Sequence, residues 1–563
     1  MNLPTNSIEW ALKHVTRFYS SDFFPDPFEF EAISSQWQNL RPIIQSWDLT
    51  NYTPKTPLQS LAPKPNGTFR IVHQLDPLDA IIYTALAHTL AEDIEAARIP
   101  EKEGIACSYR IAPDVNGSFF ADTRDGWDLF TKRTKHLIAQ YPEGFVLLCD
   151  VVDYYNQIYS HRIANIIGEL GRSDAKELGK TLEGFIEAMN TRTSRGIPVG
   201  PAASIVFAEA VMIDLDRKVL ATTRDYVRWV DDFRIFFRTY SDAQQFLHQF
   251  TEYIHDNHRL VLSGEKTRII PVEKYKASHE QDDAEREERL LAAKTQALAL
   301  DEYYQELVGN AGPYSDPEDD FDEEEFDALL EEFRKNKRFE VASEAYKDLL
   351  NEECKKQYPD FVLIRRILRN AKAYRIRSIL PFVLLYFERL LPFVREVCLY
   401  LQKVLTQEAA QKNCALFMKI ADSPSTQLPY VNMWLAWLFS SPAFSDKCFG
   451  PLLGKAIHLR SQALIAIRAR DLAWVKSRKN GLDTLGPYEK RAVLYASQIL
   501  SEDERKVWLG IAKERGDLLE KTVADHLLSR LNAAKPTKPG APQSPSHSPE
   551  QKPAASTTSA TKS

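Results

Sequence analysis

The first half of the chain carries both strand-like and helix-like patterns of hydrophobic residues. Asn66-Gly67, a dipeptide typical of tight hairpin turns, leads into residues 68–72, which are expected to form a strand. Residues 80–96 place apolar side chains at helical spacing, which predicts a helix. The pattern therefore predicts a hairpin followed by a buried helix.

Further short apolar runs predict strands buried in a sheet. They are residues 145–149, 226–230 and 233–237, followed by 260–262 and 268–271, which are expected to form a second hairpin. The runs at 226–230 and 233–237 flank Asp231-Asp232, a pattern that predicts a strand, a tight turn and a second strand. Strands interspersed with helices indicate an α+β fold for this half.

The strand pattern ends near residue 276. Residues 280–309 are expected to form a charged helix, and residues 312–340 contain twelve acidic and four basic side chains, which is typical of a solvated linker. Successive amphipathic segments then predict an all-α domain, for which a HEAT-like stack of helical pairs is expected. The predicted organisation is an α+β domain at 1–275, a linker at 276–340, a helical domain at 341–531 and a disordered Pro/Ser/Lys-rich tail at 532–563.

Composition narrows the class of protein. The 563 residues include 71 Lys and Arg against 78 Asp and Glu, a net charge of −7, and 44% are hydrophobic. Such a chain is long and apolar enough for about three folded domains, and it carries no overall basic coat for nucleic acid. A local basic groove remains compatible with this charge.

Cysteine spacing and hydropathy indicate in which cellular compartment the protein is expected. The six cysteines form no CxxC pair, which argues against a zinc knuckle and against a dense disulfide framework. The start of the chain has no basic or apolar leader pattern, and the most apolar stretch, 379–394, is interrupted by charges. We expect a soluble, cytoplasmic protein with no membrane segment.

Three carboxylates are the candidate chemistry. Asp231 and Asp232 interrupt an apolar run, and Asp150 follows another. If the two strands are neighbours, these side chains can hold two Mg²⁺ ions for in-line phosphoryl transfer, because carboxylate oxygens are the ligands that Mg²⁺ prefers. Taken alone, the Asp231-Asp232 pair also fits a turn with solvated aspartates.

The chain resembles the reverse transcriptases through several motifs. DVVDYY at 150–155, GIPVGPAAS at 196–204, WVDD at 229–232 and SGEKT at 263–267 occur in the order and spacing of motifs A to D of that family. KPNGTFRI at 64–71 and SYR at 108–110 are similar to its upstream fingers motifs. The resemblance covers about residues 55–275 and implies a right-hand polymerase with fingers and an antiparallel palm sheet.

The resemblance also implies roles for individual residues. Asp150, Asp231 and Asp232 match the catalytic carboxylates, and with Val151 they match the site of two Mg²⁺ ions, with Mn²⁺ as an alternative. Tyr155 matches the aromatic gate that excludes a ribose 2′-OH, so dNTPs are expected. The other residues implied to bind nucleotide are Lys64, Arg70, Gly200 and Lys266. Trp229 replaces the usual tyrosine before the aspartate pair and is a candidate for contact with nucleic acid.

The helical half is similar to that of bacterial abortive-infection and defence-associated reverse transcriptases, which carry a HEAT-like domain. Arg365, Arg369 and Lys372 lie at i, i+4 and i+7 on one helix face, and a second basic stretch begins at Arg460. Both stretches could line a nucleic-acid channel. Alternatively, they are exposed faces that keep the domain in solution.

Together these features predict an RNA-directed DNA polymerase of bacterial anti-phage defence. Its template would be an RNA or a noncoding RNA; alternatively, synthesis would need no template and would start from a protein hydroxyl, leaving DNA covalently attached. The resemblance also implies a homo-oligomer. The competing hypothesis is a catalytically silent RNA-binding scaffold. An RNA polymerase is disfavoured by Tyr155.

Overall fold

The structure is a computed structural model that describes residues 1–18, 23–278, 337–445, 448, 450–452 and 454–533. In these ranges the fold is of the α+β class, with every strand in the first half. The strands are β1 (Leu58–Pro63), β2 (Phe69–Gln74), β3 (Phe145–Asp150), β4 (Tyr226–Trp229), β5 (Asp232–Phe237) and β6 (Arg268–Pro271).

Helices surround these strands in the first half. They are α1 (Thr5–Arg17), α2 (Glu29–Ser35), α3 (Trp37–Ser46), α4 (Pro77–Ala97), α5 (Thr123–Gln140), α6 (Tyr154–Gln157), α7 (Ser160–Gly168), α8 (Ala175–Met189), α9 (Ala202–Leu220) and α10 (Tyr240–His258), with a 3₁₀ turn at Glu101–Glu103.

The predicted hairpin at Asn66-Gly67 is confirmed. β1 and β2 are antiparallel, with Pro63 opposite Phe69. Gly67 adopts φ +80°, a conformation that glycine tolerates without a steric penalty, and its N–H donates to the Lys64 carbonyl at 3.0 Å. The hairpin leads directly into α4, whose first turn is capped by the Asp76 carboxylate accepting from the Leu78 N–H at 3.3 Å.

The main sheet has the strand order β4-β5-β3-β6 and is antiparallel throughout. Its strands confirm the predictions at 145–149, 226–230 and 233–237. The predicted hairpin between 260–262 and 268–271 is wrong. β6 pairs with β3, and Leu262 makes an isolated bridge to Val151. The two segments thus pair with consecutive parts of residues 145–151 instead of with each other.

Two apolar helices, α4 and α9, form the centre of the first half. α4 confirms the helix predicted at 80–96, and nearly all sides of both helices are buried. They pack together through the rings of Tyr83 and Phe207, whose centroids are 5.2 Å apart. The inner face of β3 and β5 joins the same hydrophobic core. A rigid core therefore lies directly behind the strands that carry the aspartates.

The second half is helical from Lys337, as the amphipathic pattern predicts. Its helices are α11 (Lys337–Lys355), α12 (Phe361–Ala373), α13 (Leu380–Leu385), α14 (Val394–Val404), α15 (Gln407–Lys412), α16 (Cys414–Ala421), α17 (Pro429–Phe439), α18 (Leu459–Ala469), α19 (Leu472–Arg478), α20 (Pro487–Ala496), α21 (Glu502–Arg515) and α22 (Leu518–Ala533). Short 3₁₀ segments lie at Phe387–Phe393, Pro424–Gln427, Gly450–Leu452, Lys479–Thr484 and Ser497–Ile499.

The two halves meet in a buried ion cluster. Glu29 of α2 is fully buried and accepts from Arg460 at 2.6 Å and from Arg491 at 2.9 Å. Arg491 also lies 2.9 Å from Asp76, the residue that caps α4. Arg460 is therefore paired within this cluster, with its side chain 18% exposed, and this pairing accounts for its position without a channel.

Other sequence-based expectations fall outside this description. The charged helix at 280–309, most of the acidic segment at 312–340 and nearly all of the tail lie outside the described residues. Within the described ranges, no helix combines the length and the apolar character needed to cross a bilayer. Cys414 and Cys448 are joined in a disulfide with Cα atoms 5.3 Å apart, a pair that sequence spacing does not reveal.

Candidate active site

Strand register brings the three aspartates to one end of the main sheet. Asp150, the last residue of β3, lies directly opposite Asp232, the first residue of β5. Trp229 and Asp232 face each other across the β4–β5 hairpin, so residues 230 and 231 form its two-residue turn. We call these two residues the 230–231 turn. Asp231 is thus one residue from Asp232 and beside the end of β3.

The electrostatics of this cluster reflect crowded negative charge. Burial, with the charges of Asp150 and Asp232, raises the pKa of Asp231 to about 6. Burial and Asp150 also raise the pKa of Asp232, against the opposing charge of Arg234. Lys266 donates to both carboxylate oxygens of Asp150 at 3.0 Å. The cluster therefore favours positive partners.

The aspartate carboxylates do not converge on one point. They do not form a group in which one ligand atom from each residue lies within 4.8 Å of the others. Like charges repel, and Asp150 points to Lys266. Among the described residues, His161, Glu183 and Glu187 do form such a group, on α7 and α8. The cluster of Asp150, Asp231 and Asp232 supplies carboxylate oxygens, the donors that hard divalent cations prefer.

Val151 follows Asp150 at the end of β3. It is buried and makes an isolated bridge to Leu262, while the Val152 N–H donates to the Val261 carbonyl at 2.9 Å. The Ser263 N–H donates to the Asp150 carbonyl at 2.8 Å. These bonds fix the backbone on the C-terminal side of Asp150 and hold the segment that carries Lys266 next to it.

Tyr155 lies near Asp231, and Gly200 lies on the segment that is bonded to Tyr155. The charge of Asp231 contributes to the raised pKa of the Tyr155 phenol, for which burial is the main cause. The Ile197 N–H donates to the Tyr155 carbonyl at 2.9 Å. Gly200 has φ +136°, and a Cβ there would meet the His73 carbonyl oxygen at 3.2 Å. Only glycine allows this approach of the 196–204 segment to β2 without strain.

The three basic residues predicted to bind nucleotide also come together. Burial lowers the pKa of the Lys64 ammonium, and the charges of Arg70 and Lys266 lower it further. Asp150 and Asp153 act on the same ammonium in the opposite direction. Lys64, on the β1–β2 hairpin, is therefore near Lys266 at the end of the main sheet. Like charges gathered beside carboxylates create a site suited to anionic groups.

Trp229 belongs to an aromatic cluster beside the 230–231 turn. Its ring lies 5.0 Å from that of Trp127, at 85°, and 5.8 Å from that of Phe130. Trp127 is 46% exposed. Sequence reasoning missed Trp127, because a single tryptophan on a polar helix gives no motif.

The basic residues of α12 lie on the helical half. Arg365 is near Glu396, with a separation of 3.4 Å between charged atoms, and its guanidinium is 5.2 Å from the Phe393 ring. Arg369 is exposed and Lys372 half-buried. Burial raises the pKa of Asp26, and the charges of Arg395 and Lys372 oppose that rise. Lys372 is therefore near Asp26, which lies between α1 and α2.

Comparison with known proteins adds little beyond this geometry. No protein-family model and no curated protein matches the chain. Solved telomerase structures from Candida do match. One from Candida albicans, in complex with the TWJ fragment of telomeric RNA, is 12% identical, with a TM-score of 0.30 over 73% of this chain and 71% of that one. Apo telomerase from Candida tropicalis is 11% identical, with a TM-score of 0.32 over 72% and 73%. At these scores the likeness supports no inference.

Proposed function

We propose that the chain is an RNA-directed DNA polymerase of the reverse transcriptase type, with residues 1–275 as fingers and palm. The observation that carries this proposal is the pairing of Asp150 with Asp232 across β3 and β5, with Asp231 in the adjoining turn. Three carboxylates at one sheet end, faced by Lys64 and Lys266, suit the transfer of a nucleotidyl group.

Divalent cations fit the donor set. Asp150, Asp231 and Asp232 would hold two Mg²⁺ or Mn²⁺ ions, with the backbone carbonyl of Val151 as a further oxygen. When bound, such ions stabilise the attacking and leaving oxygens of an in-line displacement. The raised pKa values of Asp231 and Asp232 support this assignment, because positive charge beside them would favour their ionised forms.

The remaining site residues would bind and select the nucleotide. Lys64, Arg70 and Lys266 would contact the triphosphate, whose oxygens suit their cationic head groups. Gly200 would let the backbone approach the substrate, since it carries no side chain. Trp229 would pack against the end of the nucleic acid. Arg365, Arg369 and Lys372 would contact phosphates farther along the strand.

Tyr155 gives a test of sugar selection. Replacing its ring in Tyr155→Ala should raise incorporation of ribonucleotides relative to deoxyribonucleotides by about 10- to 100-fold, because the space for a 2′-OH opens. Tyr155→Phe keeps the ring and should keep the wild-type ratio. Competition between labelled dNTP and NTP measures the ratio. An unchanged ratio in Tyr155→Ala would exclude the gate.

The proposed activity is tested with the purified full chain and its co-purifying nucleic acid. Wild type, with Mg²⁺ and each labelled dNTP or NTP, should produce labelled DNA, and Asp231→Ala/Asp232→Ala should not. Loss of synthesis after prior RNase treatment indicates an RNA template. A product whose mobility changes with protease indicates a protein primer and covalently attached DNA.

Silence of wild type and variant alike, also after addition of phage extract, would contradict the polymerase. The RNA-binding scaffold would then account for the fold. In that case RNA should co-purify equally with wild type and the double variant.

The cellular role that we propose is bacterial anti-phage defence, with the helical half as a HEAT-like domain of a homo-oligomer. It rests on the resemblance of residues 74–86, 108–110 and 195–201, and of the all-helical second half, to the defence-associated enzymes. Bacteria that carry the wild-type chain should form fewer phage plaques than bacteria that carry the double variant. Equal plaque numbers across a phage panel would contradict the role but not the polymerase.

A further inference from the structure

The 230–231 turn has an unfavourable backbone conformation. Val230 adopts φ +53°, in the left-handed region. A β-branched residue is rarely found there, and such a conformation persists only where the surroundings hold it. The residue immediately before Asp231 is therefore held against its own preference.

Both backbone groups of Val230 are bound by side chains from behind the turn. The Val230 N–H donates to the Ser108 hydroxyl at 2.8 Å. The Val230 carbonyl accepts from Arg228 Nη1 at 2.7 Å. Since one bond fixes each side of the residue, the two together oppose rotation of the turn toward a relaxed conformation.

Ser108 and Arg228 are themselves fixed by two buried carboxylates of α9. Arg228 contacts Asp216 through Nη2 at 2.7 Å and Glu209 at 3.1 Å. The Ser108 hydroxyl donates to Glu209 at 2.9 Å, and Arg98 binds the same carboxylate at 2.9 Å. The charged side chains are at most 3% exposed. Two cations face two anions, so each group has a partner.

Glu209 and Asp216 lie seven residues apart on α9, among buried residues that are otherwise almost all apolar. Arg228 stands inside an apolar strand. Burying charge in such elements is costly unless the groups are paired with good geometry. If these groups served only to join α9 to the sheet, apolar residues would do so as well. The bonds to Val230 are what apolar side chains could not supply.

We propose that Ser108 and Arg228, held by Glu209 and Asp216, are positioning residues that lock the 230–231 turn so that the Asp231 carboxylate faces Asp150. The inference rests on the proposed function, since it assigns the turn to a divalent-cation site. Outer groups that orient metal ligands typically change metal affinity or activity by about 10- to 100-fold when removed.

The test uses the full chain in four forms: wild type, Ser108→Ala, Arg228→Lys and Ser425→Ala. Ser425 is a matched control, because it is also a buried serine whose hydroxyl donates to a glutamate, Glu388, at 2.9 Å, and it lies in the helical half. Mn²⁺ affinity is measured by electron paramagnetic resonance, and the Mg²⁺ concentration for half-maximal incorporation is measured in parallel. Hydrogen exchange reports on the peptide that covers residues 226–233.

Ser108→Ala should weaken Mn²⁺ binding and raise the Mg²⁺ requirement by about tenfold or more, with faster exchange in the turn and an unfolding temperature near that of wild type. Ser425→Ala should match wild type. Arg228→Lys should show a larger change; if it does not fold, Ser108→Ala alone decides. Wild type that binds Mn²⁺ and incorporates nucleotide, with Ser108→Ala unchanged in all three measurements, overturns the positioning role. Wild type that does neither overturns the proposed function and the positioning role with it.

Discussion

Asp150→Asn is expected to lower nucleotide incorporation by about 10³-fold without lowering stability. Loss of one metal-binding carboxylate removes several kcal/mol of transition-state stabilisation, and each 1.36 kcal/mol is a factor of ten. Stability should hold or increase, because Asp150 contributes to the raised pKa of both Asp231 and Asp232. The lost ion pair with Lys266 is largely exposed on the lysine side and is worth at most about 1 kcal/mol.

Asp225→Asn is the matched control for this prediction. Asp225 lies just before β4, at the far end of the same sheet, and its carboxylate accepts a hydrogen bond from the Tyr141 hydroxyl. It should keep activity near the wild-type level. Single-turnover incorporation measures the activity of each variant, and urea unfolding measures its stability. If Asp150→Asn were as active as Asp225→Asn, or lost stability and activity in proportion, the carboxylate would have a structural role only.

Glu29→Gln is expected to lower the free energy of unfolding by about 3 to 5 kcal/mol. The substitution leaves the buried Arg491 and the partly buried Arg460 with one fewer carboxylate, and an uncompensated buried charge is strongly destabilising. Glu31→Gln, two residues along the same helix, removes a pair with Arg530 in which both side chains are about half exposed. It should cost less than about 1 kcal/mol. Urea unfolding of the full chain compares the two.

The same cluster should make stability depend on pH. Burial raises the pKa of Glu29, but Arg460 and Arg491 outweigh it and lower the pKa from 4.5 to about 2. A lowered pKa stabilises the fold above the unfolded value and loses that stabilisation as the pH falls from about 4.5 toward 2. The wild-type advantage over Glu29→Gln, about 3 kcal/mol at neutral pH, should therefore shrink over that interval. A difference that stays constant from pH 6 to pH 3 would contradict the ion-pair account.

Local sequence signals determined the strands and the main helix of the first half. Asn66-Gly67 encodes a turn because its backbone conformation is intrinsic to those residues. The apolar runs predict strands because a short run of consecutive apolar residues is by itself typical of a strand buried in a sheet. The predicted pairing of the 260–262 and 268–271 runs is wrong, because hydrophobicity indicates that a strand forms but does not indicate its partner. The choice of β3 as the partner of β6 depends on residues more than a hundred positions away.

The candidate site also combines residues that the sequence marks with contacts that only the tertiary structure supplies. The sequence by itself marked Asp150, Asp231 and Asp232, because carboxylates that interrupt apolar strands are costly without a cation and therefore stand out. It did not indicate that Ser108 binds Val230, that Arg460 pairs with Glu29, or that Trp127 packs on Trp229. These contacts join residues from about one hundred to more than four hundred positions apart. Residue type decides which groups need partners, whereas only the packing of α4 and α9 behind the sheet, and of the helical half against α2, decides which partners they receive.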